Sequence, residues 1–130
     1  IIKESKVPKG KGFFITPGLI DSTNLKERFD EEIFGPILQV HFVGSFSEAI
    51  DEANNTKFGL AASLISDSRQ LFDEFHSSIN SGLVNFNATT TGASGALPFG
   101  GVGKSGNYRP AGFYAADFCA WPKSSVLKKL

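Results

Sequence analysis

Between Ile37 and Asn87 the chain alternates short apolar runs with two segments of helical period, and each helical segment opens on a capping signal. Ile37 to Val43, ILQVHFV, is rich in Val, Ile and Phe and stops at Gly44, which predicts a buried strand. Ser45 and Glu48 then stand at capping-box spacing, where the hydroxyl satisfies one orphan helix amide and the carboxylate reaches back to another. Phe46, Ala49, Ile50 and Ala53 follow at i, i+3, i+4 and i+7, a single apolar stripe that ends at Asn54, Asn55 and Gly59. Leu60 to Ile65 predicts a second buried strand. Ser66 or Asp67 would cap a second helix with Leu71, Phe72, Phe75 and Ile79 inward and Gly82 at the C′ position. Leu83 to Asn87 completes a β-α-β-α-β order whose helix-length connections imply parallel strands: an α/β fold, a parallel sheet with flanking helices. Upstream, Gly12 to Ile20 reads as a further strand, bent or at an edge because Pro17-Gly18 interrupts it.

Length and charge exclude several functions. A chain of 130 residues suits one domain with a core, and 13 basic residues balance 13 acidic ones, so no net field favours nucleic acid or an anionic membrane. The basic stretches near Lys3 to Lys11 and Lys123 to Lys129 read as solvated ends. One cysteine makes no internal disulfide, no apolar run has the length of a membrane span, and no signal peptide is evident; the expected location is the cytoplasm. Thirteen phenylalanines without one methionine point to a fragment of a longer protein.

The segment after the third strand, Leu97 to Trp121, LPFGGVGKSGNYRPAGFYAADFCAW, has neither helical nor strand period. Its glycines permit positive φ or close backbone approach, and Pro98 and Pro110 fix φ near either end. Gly101, Gly103 and Gly106 spell GxGxxG, but that motif works only between a strand and a helix N-terminus, and here Pro98-Phe99 precedes it and Tyr108-Arg109-Pro110 follows. A phosphate loop fails as well, since its first glycine would have to stand where Pro98 is.

PFGG followed by a glycine-rich turn resembles the C-terminal region of aldehyde dehydrogenases, and Asp30 to Pro36, DEEIFGP, resembles a second signature of that family in the same order and at about the same spacing. NATTTGASGALPFGG and the tail GNYRPAGFYAADFCAWP narrow the resemblance to family members that act on a succinylated semialdehyde in arginine catabolism. The resemblance runs from about Gly12 to Ser125. It implies oxidation of N-succinylglutamate 5-semialdehyde with NAD: a cysteine thiolate attacks the aldehyde, hydride leaves for the nicotinamide, and a glutamate-activated water releases the acid. Nucleophile and base are expected upstream of this chain. By the same resemblance Glu32 would accept hydrogen bonds from the nicotinamide ribose, Phe34 would pack near the ring, and Phe99 would wall the aldehyde entrance. Thr91, Gly92, Ala93 and Ser94 would hold a substrate carboxylate, with Asn87 just below that site at the strand end.

Each assignment has a plainer counterpart. Phe34 could be core, Glu31-Glu32 a charged turn or helix start, and Asn87 an amide that satisfies backbone. His41 reads as a packed, hydrogen-bonded strand histidine, and Cys119 as a buried packing thiol rather than a nucleophile. Arg109 could meet a second substrate carboxylate or brace the C-terminal turn. The expected divisions are 1–122, the C-terminal part of a catalytic domain, and 123–130, a strand that joins a homo-oligomer. Alternatives are another carboxylated semialdehyde as substrate, or a non-catalytic assembly module.

Overall fold

The computed structural model describes residues 1–26 and 29–129. In chain order the elements are β1 (Gly18–Asp21), β2 (Ile37–Val40), α1 (Phe46–Asn54), β3 (Phe58–Gly59), β4 (Ala61–Leu64), α2 (Arg69–Ser78), β5 (Leu83–Phe86), β6 (Pro98–Phe99), β7 (Val102–Gly103), β8 (Ala111–Gly112) and α3 (Ala115–Phe118). They fall into two compact units, Ile1–Asp51 and Glu52–Leu130. The expected α/β class is observed. Each long strand pairs in parallel with one neighbour, β1 with β2 and β4 with β5.

In the first unit Gly18 stands opposite Ile37 and Asp21 opposite Val40. The strand expected from Gly12 begins only at Gly18, because Pro17 has no N–H to give a ladder, and Phe13 to Ile15 stay exposed. Nor is β1 an edge: on its far side Leu19 exchanges backbone hydrogen bonds with Lys3, at 3.0 and 2.8 Å. The ends of β1 and β2 are locked by polar groups. Ser22, only 2% exposed, gives both its amide and its hydroxyl to the Val40 carbonyl, and the Thr23 hydroxyl takes the Phe42 amide at 3.0 Å. This contact ends β2 three residues short of the expected Val43. The Thr23 hydroxyl and backbone amide also bond Asp21, holding its carboxyl below its ordinary value.

The capping box at α1 forms with a one-residue shift. Ser45 Oγ accepts the Glu48 amide at 3.2 Å, while Glu48 Oε2 accepts the amide of Gly44, not of Ser45, at 2.7 Å. Ile50 is buried, Phe46 and Ala49 are half-buried, and Ala53 is exposed.

In the second unit α2 connects β4 to β5, with Ala61 opposite Leu83 and Leu64 opposite Phe86. Phe75 is buried, and Phe72 stacks on Phe86 at 4.6 Å between centroids, so the expected apolar face of α2 meets one face of this sheet. Ser68, rather than Ser66 or Asp67, caps the helix by accepting the Leu71 amide; the Ser66 hydroxyl is taken by the Ser68 amide instead. At the other end Ile79 is already extended, and Asn54 closes the helix by donating to the Ser78 carbonyl and accepting from the Asn80 amide. Gly82 therefore has no left-handed cap to fill.

What Gly82 provides is space, since a Cβ there would run into the carbonyl oxygen of Gly100. The glycine-rich stretch folds into two short antiparallel pairings, β7 on β3 and β6 on β8. Gly101, Gly103 and Gly106 lie in the turn around β7, where Gly103 has φ +56° and Ser105 Oγ accepts the Gly59 amide at 3.2 Å. No helix follows that turn before α3, which rules out the dinucleotide fingerprint there. Residues 124–129 of the expected terminal strand take no strand pairing, and Leu130 lies outside the described residues. No helix among the described residues is long and apolar enough to cross a membrane.

In the full-length protein, Gly82→Ala should lower stability by about 1–3 kcal/mol, because the new methyl group meets backbone that cannot swing aside. Gly35→Ala, with nothing within 4 Å of the added carbon, is the control. Equal thermal midpoints for the two variants would show that the Gly82–Gly100 approach is not required.

Candidate functional site

The site forms where β5 ends. Asn87 continues the ladder by donating its amide to the Leu64 carbonyl at 2.9 Å, then turns the chain with φ +51°, a conformation that asparagine tolerates better than most residues. Its side chain makes two more bonds in the manner of a backbone pair: Oδ1 accepts the Ser66 amide at 2.9 Å and Nδ2 donates to the Ser66 carbonyl at 2.8 Å. Both polar ends of Asn87 are thus spent on scaffold, the plainer of its two sequence readings.

Beyond this turn the chain forms a loop tied back to the strands. Ser63 Oγ donates to the Ala88 carbonyl and Asn85 Nδ2 to the Thr89 carbonyl, each at 2.7 Å. The Thr89 and Thr91 hydroxyls are 3.0 Å apart, Gly92 has φ +111°, and Ser94 accepts the Ala96 amide at its hydroxyl and the Leu97 amide at its carbonyl. This loop and the strands enclose a hollow of about 500 Å³ lined by Asn85, Thr91, Gly92, Ala93, Ser94 and Phe99, among others. A second hollow of about 320 Å³ shares Gly92, Ala93 and Phe99. Five of the expected substrate-side residues therefore come together, and Asn87 stands behind them. Hydroxyls and amides on one wall and an aromatic ring on another suit a ligand with a charged or polar end and an apolar stem.

Asn85 was not singled out from the sequence. Strand alternation could have suggested it: Phe86 faces α2, so its neighbour Asn85 faces the other way. Ser63 was missed for a different reason, since its partner is fixed only by the pairing of β4 with β5.

Glu32 and Phe34 belong to the first unit, in the segment leading into β2. Two successive tight turns shape it, with the Gly35 amide on the Ile33 carbonyl at 2.9 Å and the Ile37 amide on the Gly35 carbonyl at 2.8 Å. Phe34 is 91% exposed and Glu32 is exposed beside it, so a free carboxylate and a free aromatic face are offered together. That combination fits a ribose diol and a planar base. His41, just past β2, is packed as expected, but its Nδ1 is buried with no hydrogen-bond partner among the described residues.

Cys119 is exposed, contrary to the expected buried thiol. It caps a helix of a single turn, and the residues after it adopt no regular structure that would cover it. With Arg109, Tyr114, Phe118 and Trp121 it lines a separate hollow of about 670 Å³. Arg109 accordingly stands in the lining of that hollow, outside the lining of the loop cavity.

This chain belongs to the aldehyde dehydrogenase family, whose family model matches residues 2–124. Over 126 residues it is 53% identical to N-succinylglutamate 5-semialdehyde dehydrogenase of Sphingopyxis alaskensis, an alignment that covers 97% of this chain and 26% of that protein. The chain thus spans about a quarter of the length of that relative. Among solved structures it resembles a Thermus 1-pyrroline-5-carboxylate dehydrogenase with bound NAD, with a TM-score of 0.76 and 38% identity over 82% of this chain and 21% of the other. It also resembles an aldehyde dehydrogenase of Physcomitrella patens in complex with its product succinate, with a TM-score of 0.73 and 29% identity over 89% of this chain and 25% of the other.

Proposed function

We propose that this chain is the substrate-entrance part of an NAD-dependent aldehyde dehydrogenase that oxidises N-succinylglutamate 5-semialdehyde to N-succinylglutamate. The observation that carries this reading is the loop cavity, where Thr91 to Ser94 and Phe99 line one hollow at the end of β5 in a chain 53% identical to an enzyme named for that substrate. Backbone amides and hydroxyls of Thr91, Gly92, Ala93 and Ser94 take the carboxylate end, with Gly92 at φ +111° supplying the backbone conformation that lets successive amides point inward. Phe99 covers the stem and keeps water from the acyl stage of the reaction. Asn87 acts behind them, aiming the loop through its bonds to Ser66. On the cofactor side, Glu32 accepts the ribose hydroxyls and Phe34 limits where the nicotinamide ring lies. NAD, when bound, supplies the hydride acceptor. The nucleophilic cysteine and the general base come from the remainder of the polypeptide, and Cys119 has neither role.

A second reading keeps the reaction and changes the substrate to a smaller carboxylated semialdehyde, favoured by the succinate bound in the Physcomitrella patens enzyme. Steady-state kinetics of the full-length enzyme decides between them. N-succinylglutamate 5-semialdehyde should show the highest kcat/KM of a series of carboxylated and uncharged aldehydes, and a higher value for succinic semialdehyde would establish the second reading.

Glu32→Gln should slow hydride transfer roughly ten- to hundredfold, the effect of losing one charge-assisted hydrogen bond felt only in the transition state. Single-turnover formation of NADH measures this step directly, and an unchanged rate would remove Glu32 from the cofactor site.

The terminal residues 123–130 are proposed to pair with a neighbouring subunit in a homo-oligomer. Val126 and Leu127 are 91% and 93% exposed, and the backbone from 124 to 129 has no strand partner among the described residues. An enzyme ending at Pro122 should scatter light as a smaller species; unchanged mass and thermal stability would show that the tail is no interface.

A further inference from the structure

Ser63 and Asn85 stand opposite each other in the β4–β5 register, so their side chains share one face of the sheet, one pair below its end. Both reach forward along the strands to the loop that follows. Ser63 Oγ holds the Ala88 carbonyl and Asn85 Nδ2 the Thr89 carbonyl, consecutive residues at the point where the main-chain ladder has stopped. We infer that Ser63 and Asn85 form a clasp that positions the carboxylate-binding loop, and are thereby specificity-determining residues for the reaction proposed above, on whose substrate class this inference rests.

The physical reasoning starts from the peptide unit. A trans peptide is planar, so fixing a carbonyl also fixes the N–H of the next residue in the opposite direction. Holding the Ala88 and Thr89 carbonyls against the strands turns the Thr89 and Thr90 amides away from those strands. Neither amide meets an acceptor among the described residues. Directly after them come Thr91, whose hydroxyl lies 3.0 Å from that of Thr89, and Gly92, which adopts φ +111° in open space. An added Cβ on Gly92 would meet nothing within 4 Å, so the orientation of the loop depends on its anchors, the Ser63 and Asn85 contacts at its start and the Ser94 turn at its end. Asn85 also lines the loop cavity, whereas Ser63 acts from outside its lining. A lost clasp should therefore weaken recognition of the charged end of the substrate more than recognition of the aldehyde end.

The test uses the full-length enzyme and two readouts. For Ser63→Ala and Asn85→Leu, the ratio of kcat/KM for the carboxylated semialdehyde to that for an uncharged aldehyde of equal length should fall about fivefold each, mainly through KM; this is the change expected from one neutral hydrogen bond. Ser63→Thr keeps the hydroxyl and should retain the parent ratio. Exchange of the Asn87 and Ser66 amides, which are hydrogen-bonded at the root of the loop, should accelerate about fivefold in the two loss variants and not in Ser63→Thr. Unchanged exchange overturns the clasp, and so does an equal loss for both aldehydes, which marks a merely structural pair. If Asn85→Leu fails to fold, the Ser63 variants decide. A parent enzyme without preference for carboxylated aldehydes removes the substrate reading, together with the specificity part of the inference, while exchange still judges the positioning.

Discussion

The parallel pairing of β4 with β5 is the constraint on which the loop site depends. Its register sets Ser63 beside Asn85 and leaves Asn87 level with the chain just after Leu64. Beyond the bond from the Asn87 amide to the Leu64 carbonyl, the backbone ladder stops. Asn87 prevents an abrupt end by offering an amide side chain in place of another backbone pair, and its left-handed φ sends the main chain off the sheet in one direction. A side chain without both a donor and an acceptor could not make both contacts with Ser66. The hollow lined by Thr91 to Ser94 follows from that turn, consistent with the rule that α/β sheets place ligands beyond the carboxyl ends of their strands.

The same unit uses glycine for two distinct purposes. Gly82 and Gly106 are required by proximity, each so close to another peptide that a methyl group would strike the carbonyl oxygen of Gly100 or Gly101. Gly103 and Gly112 are required by conformation, at φ +56° and +66°. Together they let the segment after Pro98 fold back on β3 and on itself through two-residue pairings. Phe99 stands at one end of this arrangement and is carried to the cavity by it.

Much of this was legible locally. Helices α1 and α2 announce themselves through apolar spacing and capping residues that lie within one turn of one another, and β4 and β5 through compact apolar runs between them. What stayed hidden depends on partners distant in sequence. The Ser105 hydroxyl meets the Gly59 amide 46 residues away, so the GxGxxG spelling could be rejected from its flanks but its real pairing could not be foreseen. Gly82 looked like a helix cap because a local rule favours glycine there, whereas Asn54, at the end of the other helix, supplies the closing bonds. Cys119 reads as a buried thiol from its residue type and its lack of a nucleophile context, and it is exposed among the described residues. At the site, Thr91 to Ser94 and Phe99 were visible through family motifs, while Ser63 and Asn85, which tie the loop down, needed the strand register.

Burial is sparse throughout the described residues: Ile50 and Phe75 are the hydrophobic side chains that fall to 8% and 7% exposure, and Phe34, Phe13 and Trp121 remain almost wholly exposed. In a chain that spans about a quarter of the length of its relative, the contacts that hold the loop within the described residues are chiefly hydrogen bonds, and these are directional. The Asn87–Ser66 ring, the Ser63 and Asn85 contacts and the Ser94 turn each set the direction of a peptide as well as its distance. Short polar side chains on strand ends reach neighbouring backbone with few rotatable bonds, so ordering them costs little conformational entropy. Serine and asparagine, rather than larger apolar residues, are thus the residues that carry the chain from a regular sheet into a defined loop.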